Sequence, residues 1–365
     1  MGVPTIRCFS NKTKHILQFK TITALFNTVF DPPHRKNLTR ARTDMSLRKV
    51  IVDVDVGTDD AWALLLLLKC EKKFNFKVEA ITCTHGNTDV HNATRNVLRI
   101  LAAIGRTDVP VYKGAVEPLI TPVPDRERHF HGVDGFGDLN FEEPDESLVQ
   151  PGHAVNELAR RLNADPGNIS LIFVGPLTNL ALCLKLYPEV RDKIKDLYVM
   201  GGNRHGVGNV TKSAEFNFWA DPEAAHIIFN NLTCPITLLP RETCVSEHRE
   251  LAMTWRMDVV GQTANKAVLM LNQVEAKCYG HWENWMPCDA FVVAVFIKPD
   301  IVQHSEHWHV DIELTGTLTR GQAVLDHKKR TKENTRIVDR IDTNYFKHMM
   351  MYAADHDHGL LSDVQ

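Results

Sequence analysis

Short runs of β-branched residues alternate along the chain with longer apolar or amphipathic runs, and the polar positions collect at the junctions between them. The first such unit is Val50 to Leu68. Val50–Val54 is β-branched apart from Asp53, which predicts a strand, and Gly57 relaxes the turn that follows. Thr58 is placed to cap a helix that carries Asp59 and Asp60 in its first turn and an apolar run from Ala61 to Leu68. The same alternation continues. Strands are predicted at Val78–Thr82, Val109–Tyr112, Ile169–Val174, Leu197–Met200 and Ile236–Leu239. Helices are predicted through Val97, Leu98, Leu101 and Ile104, over Ala154–Leu162, from Gly175-Pro-Leu-Thr-Asn179 onward, after the Asp221-Pro222 cap and over Val260–Leu271. This order predicts a single α/β domain built on an open, mostly parallel central sheet flanked by helices.

In such a sheet ligands bind beyond the carboxyl ends of the strands. Asp53 and Asp55 stand at one such end, with Asp59 and Asp60 a few residues on, and four carboxylates this close repel one another unless a hard cation with oxygen ligands neutralises them. A βαβ arrangement brings Gly86 and Asn87, in Cys83-Thr-His-Gly-Asn-Thr-Asp89, beside Asp55, and carbonyls at the end of Ile169–Val174 are further cation ligands. Pro118 to Gly152 is a long loop of the kind that closes over active sites, and it makes His131 a candidate. Glycines 201, 202, 206 and 208 let the backbone approach a ligand, without dinucleotide spacing. Glu215 and Asn217, two apart on a stretch read as extended, share a direction and suit sugar hydroxyls. Trp282 and Trp285 are either core packing or a surface on which a base stacks. The histidines from His304 to His309, and His356 with His358, read as a strand approach and a tail rather than metal ligands.

Composition narrows the partners. The formal net charge is −3 over 365 residues, with no basic block in the body of the chain, which argues against nucleic acid. The longest uninterrupted apolar run is far short of the ~20 residues a membrane helix needs. The 8 cysteines form no C-x-x-C pair, which points to free thiols in a reducing compartment. Residues 1–45 differ from the rest, with Arg7, Lys12, Lys14, Lys20, Arg35, Lys36, Arg40 and Arg42 against Asp31 and Asp44. Two readings stand: a dispensable extension of a cytosolic protein, which is preferred, and a mitochondrial transit peptide. The α/β domain is then residues 46–365.

Several separated motifs together resemble the inosine–uridine type nucleoside hydrolases, which split a ribonucleoside into base and ribose. They are Asp53-Val-Asp-Val-Gly-Thr-Asp-Asp60, Thr84-His-Gly-Asn87, Gly175-Pro-Leu-Thr-Asn179, Met200-Gly-Gly202, Ala214-Glu-Phe-Asn-Phe-Trp-Ala-Asp-Pro-Glu-Ala-Ala225 and Val310-Asp-Ile-Glu-Leu-Thr-Gly316. The resemblance implies a calcium ion held by Asp55, Asp60, the main-chain carbonyl of Val174 and Asp289, with Asp55 the base that activates water. It implies that Asp59, Asn87, Asn209, Glu215 and Asn217 grip the ribose, that Met200 lies under the ring, and that the chain forms a homodimer or homotetramer.

Two residues depart from the family pattern: Val56 replaces a proline, and Cys288 replaces the histidine that precedes the metal-binding Asp in many members. A thiol is a poorer acid toward a leaving base than an imidazole. His131 supplying that proton is one expectation; preference for purines, stacked on Trp282 or Trp285, is another. Two rivals come from other classes. A non-catalytic calcium- or nucleoside-binding homologue would explain Cys288, and a haloacid-dehalogenase-type phosphatase also opens with D-x-D. The phosphatase motif is one residue out of step here.

Overall fold

The computed structural model describes residues 47–121 and 130–356. The basic segment about which the two N-terminal readings differ, and His358, lie outside the described residues.

The chain opens with β1 (Arg48–Val54), α1 (Thr58–Cys70), β2 (Phe76–Cys83), α2 (Val90–Ala103) and β3 (Val111–Lys113). A long connection leads to α3 (Ala154–Ala164), β4 (Ile169–Phe173), α4 (Thr178–Leu186), β5 (Ile194–Met200), α5 (Phe216–Ala220), α6 (Pro222–Asn231) and β6 (Ile236–Leu239). The last third comprises α7 (Arg241–Glu247), α8 (Met253–Trp255, continued by a π-helical turn at Arg256–Val260), α9 (Lys266–Cys278) and α10 (Cys288–Ile297). It closes with β7 (Val302–Trp308), β8 (Val310–Ile312), β9 (Ala323–Leu325), β10 (Thr335–Ile341) and α11 (Thr343–Ala353).

Eight strands form one sheet in the order β3-β2-β1-β4-β5-β6-β10-β7. Every pairing is parallel except β10 with β7, and β8 and β9 form a separate antiparallel pair. β1 runs down the middle, hydrogen-bonded to β2 on one side and β4 on the other. Covered on both faces, its buried part from Val50 to Val54 is apolar apart from Asp53. α1 is apolar on all sides for the same reason, being enclosed by the sheet, the wholly buried α10 and neighbouring helices. A second apolar layer, drawn from α3, α4 and α6, covers the opposite face. Strand order runs outward from β1 through β2 to β3 and, on the other side, from β4 through β5 to β6. The gap between the ends of β1 and β4 is therefore the point where the winding reverses, and it is there that the acids of the first motif lie.

Three local readings are corrected. Gly57, not Thr58, occupies the N-cap of α1: the Asp60 carboxylate reaches back to accept from the Gly57 N–H at 2.9 Å, and Thr58 becomes the first helical residue. The stretch after Ala214 is not extended. Glu215 accepts from the backbone N–H groups of Asn217 (3.0 Å) and Phe218 (3.2 Å) and so starts α5. The helix expected over Val260–Leu271 breaks at Gly261 and restarts at Lys266, because Asn265 accepts from the N–H groups of Ala267 and Val268. The seven described cysteines are free thiols. No helix among the described residues is long and apolar enough to cross a membrane.

Candidate active site

Asp55 leaves the end of β1 with its side chain fully buried. Glycines make that possible. A Cβ on Gly86 would lie 2.0 Å from its Oδ2, and one on Gly175 would lie 2.7 Å from its Oδ1, so two bare backbone segments press against the carboxylate. Oδ2 accepts the Asn87 N–H at 2.7 Å, whereas Oδ1 is buried with no hydrogen-bond partner among the described residues. Asp60 accepts from the Asp55 N–H at 3.1 Å and from Asn87 Nδ2 at 3.2 Å, so one asparagine side chain and backbone hold two acids together. Asp289, in the first turn of α10, completes the group. Ligand oxygens of Asp59, Asp60 and Asp289 lie within 4.8 Å of one another.

The structure thus brings Asp60 and Asp289 together with Asp59, which the resemblance gave to the ribose, and ties Asp55 to Asp60 through the Asp55 N–H and Asn87. Burial pushes all these carboxyls up from their ordinary values, Asp59 to about 8; neighbouring negative charges add to it at Asp55, Asp59 and Asp289, whereas at Asp60 hydrogen bonds with Gly57, Asp55 and Asp289 oppose it. An all-oxygen donor set that is hard to ionise, with an unpartnered oxygen on Asp55 and another on Asp59, fits a hard divalent cation. Asp53 has a different task. Its Oδ2 accepts from Thr82 Oγ1 at 2.5 Å and from Asn179 Nδ2 at 2.8 Å, tying β1 to β2 and α4, and burial raises it to about 7.

A cavity of about 370 Å³ opens beside the acids, lined by every residue expected to grip the sugar: Asp59, Asn87, Met200, Asn209, Glu215 and Asn217. Its size suits a small molecule. Asn217 Nδ2 donates to the carbonyls of Val174 (2.7 Å) and Met200 (3.1 Å), which fixes the Val174 oxygen at the cavity wall with a second lone pair still available. The Glu215 carboxylate also accepts from Gly202 N–H at 2.6 Å; burial raises its pKa to about 7.

The opposite wall is aromatic. Phe130, Tyr279 and Trp282 meet at ring-centroid distances of 5.4, 5.5 and 5.7 Å, and Trp282 keeps 46% of its surface exposed. Trp285 does not line the cavity. It is fully buried against Trp62 and donates its indole N–H to Glu275 at 2.7 Å, so the core reading holds for it. His131 does line the cavity, but its Nδ1 accepts from the Thr58 N–H at 3.1 Å. The ring proton is therefore on Nε2, which faces Asp59 Oδ1 at 3.7 Å, and burial holds the imidazole down at about 4. Cys288 is a neutral thiol hydrogen-bonded with Cys244 and pushed well above the ordinary thiol value. Arg241, at the start of α7, also lines the cavity; no motif pointed to it.

Away from this site, His304 and Glu306 come near Asp339, but Arg204 pairs with both acids, which accounts for the cluster as an ion-pair network. His356 bonds the Val260 carbonyl.

Comparison with known proteins gives one answer. A family model described as inosine-uridine preferring nucleoside hydrolase matches residues 50–348. The pyrimidine-specific ribonucleoside hydrolase RihA of Salmonella schwarzengrund is 33% identical over 304 residues, covering 81% of this chain and 95% of that protein. The inosine-uridine preferring nucleoside hydrolase of Crithidia fasciculata is 32% identical over 318 residues, covering 84% and 98%. Among solved structures, an inosine-guanosine nucleoside hydrolase superposes with a TM-score of 0.78 at 28% identity, covering 85% of this chain and all of that one.

Proposed function

The chain belongs to the inosine-uridine preferring nucleoside hydrolase family, enzymes that hydrolyse the N-glycosidic bond of ribonucleosides, and we propose that it does so with bound calcium and with Asp55 as the base that activates water. The observation that carries this reading is the Asp55 Oδ1, buried without a partner, on a carboxylate pressed by Gly86 on one side and Gly175 on the other.

Asp55, Asp60, Asp289 and the Val174 carbonyl would hold the cation, with Asp59 at hand. When bound, calcium would polarise water and anchor ribose hydroxyls. The rest falls to the chain. Asn87 fixes the Asp55 carboxylate by its N–H, leaving Oδ1 to accept a proton from the attacking water. Asn87, Asn209, Glu215 and Asn217 surround the sugar, with the Met200 thioether at the wall. Bond breaking builds positive charge on the ribose, and an acid-lined cavity stabilises it. A homodimer or homotetramer, as the resemblance implies, belongs to the same proposal; sedimentation as a monomer alone would remove that part.

The test is release of reducing sugar from inosine, guanosine, adenosine, uridine and cytidine, with and without calcium. Release that stops on chelation and returns with calcium is the expected result. Binding of nucleoside without any release would instead favour a non-catalytic homologue, which an intact set of acids speaks against.

Metal-free protein should lose stability as pH rises. The folded acids hold their protons more tightly than the unfolded chain does. Their contribution is therefore complete below the ordinary carboxylate range near 4. It is lost as pH climbs through about 7 for Asp53 and about 8 for Asp59. Calcium would replace the protons of the acids that hold it, though not that of Asp53, so it should raise the melting temperature more at high pH than at low. Melts of chelated and calcium-loaded protein across this range check it; an equal calcium effect at both ends would contradict the assignment.

A further inference from the structure

Resting on the hydrolase reading, the structure leaves one question open at the cavity: what receives the leaving base. The relatives differ here, one being pyrimidine-specific, one inosine-uridine preferring and one inosine-guanosine. Two of the donors at the wall are engaged: Tyr279 Oη donates to the Met286 carbonyl at 3.2 Å, and the Cys288 thiol is hydrogen-bonded with Cys244. The His131 Nε2–H faces Asp59 Oδ1 at 3.7 Å, on a ring held by Thr58 and kept neutral by burial.

Arg241 is different. It follows β6 directly, so it stands at the carboxyl end of a strand, where ligands bind. Its backbone N–H donates to the Gly202 carbonyl at 3.1 Å, which fixes the start of α7 against the glycine turn. The neighbouring Glu242 is engaged elsewhere, accepting the backbone N–H groups of Arg204 and His205 at 2.8 Å each. Among the described residues the Arg241 guanidinium has no ion pair and no side-chain hydrogen bond, although it lines the cavity and its charge acts on both Glu215 and Cys288. A half-buried guanidinium of this kind is completed by a ligand that offers acceptors.

We propose that Arg241 grips the leaving base and selects 6-oxopurine ribonucleosides, whose O6 and N7 present two adjacent acceptors to its planar fork. Adenine offers N7 beside an amino donor, and uracil has no adjacent pair of acceptors, so each makes one good bond at most. The contact also aids the chemistry. The electron pair of the broken C1′–N9 bond passes to the purine; water gives hydroxide to C1′ and its proton, by way of Asp55, to the departing base. Donors at O6 and N7 stabilise the charge the purine gains meanwhile. A 5′-phosphate is the other partner a guanidinium could take. Asp59, Glu215 and Asp289 line the same cavity and oppose a dianion.

The experiment is kcat/KM for inosine, guanosine, adenosine, uridine, 7-deazainosine and inosine 5′-monophosphate, in the intact enzyme and in Arg241→Met and Arg241→Lys. Inosine and guanosine should lead adenosine and uridine by at least about tenfold, the order a bidentate arginine contact gives. In Arg241→Met the inosine-to-adenosine ratio should fall about tenfold or more, and 7-deazainosine should already be poor in the intact enzyme. Arg241→Lys should keep part of the preference. Melting temperatures report whether the variants fold. Equal loss on every base, no loss on any, or preference for the monophosphate would overturn the inference while leaving the hydrolase reading in place. Ribose release from no nucleoside in the intact enzyme would instead overturn the hydrolase reading itself, and this inference with it.

Discussion

Under the proposed role of Asp55, Asp55→Asn should lower kcat for ribose release by about 10³- to 10⁴-fold, at the upper end of what a positioned general base contributes. The geometry makes the substitution sharp. The Asn87 N–H must meet an acceptor, so the new amide turns its Oδ1 to that side and places Nδ2 where Asp55 Oδ1 now lies unpartnered. A donor then stands where a proton acceptor is needed. Stability should move the other way. Burial and the charge of Asp60 already resist ionisation of Asp55, so a neutral isostere relieves repulsion, and the metal-free variant should melt at or above the parent. Activity within tenfold of the parent, on a sample shown to be free of parent enzyme, would remove Asp55 from its role.

The second large effect concerns stability. Arg256 and Glu275 form an ion pair of 2.6 Å at 0% exposure of either side chain. The guanidinium lies 4.5 Å from the ring centroid of Trp62 and 5.7 Å from that of Trp285, and both indoles donate to Glu275 Oε1, at 3.1 and 2.7 Å. The group joins α1, α9, the π-helical turn and the approach to α10. Glu275→Gln keeps an acceptor for the indoles but strands a charge in the core, which should destabilise the protein by about 3–5 kcal/mol in urea unfolding. Because the cost is that of an unpaired charge, Arg256→Met on top of Glu275→Gln should recover most of it. A loss below about 1 kcal/mol in the single variant would mean that water reaches the pair and screens it.

The architecture and the acid site were legible because each rests on a local pattern. β-branched runs gave the strands, and the βαβ order placed Gly86 and Asn87 beside Asp55, whereas the close approach of Gly175 to the same carboxylate carried no such signal. What escaped depends on side-chain direction across the fold. Trp285 and Trp282 lie three apart in one aromatic stretch, yet one is sealed under α1 and the other borders the cavity, and nothing in their spacing separates them. Glu215 and Asn217 read as an extended pair, yet Glu215 caps a short helix, because three backbone N–H groups converge on its carboxylate, and both residues line the cavity all the same. Arg241 carries no motif at all. Its only signal is position, the first helical residue after a parallel strand, and that becomes meaningful only once β6 is known to end at the same edge as β1.

The reversal of winding beside β1 also orders events in time. Asp55 and Asp60 leave the ribosome early, whereas Asp289 belongs to α10, which packs on α1 from far along the chain. A nascent polypeptide therefore carries an incomplete set of acids through most of its synthesis, and α1 keeps an uncovered apolar side until α10 arrives. Contacts so distant in sequence close slowly. The growing chain is thus exposed to association through α1 during the same interval in which its buried acids are still incomplete, and both conditions end with the arrival of one helix.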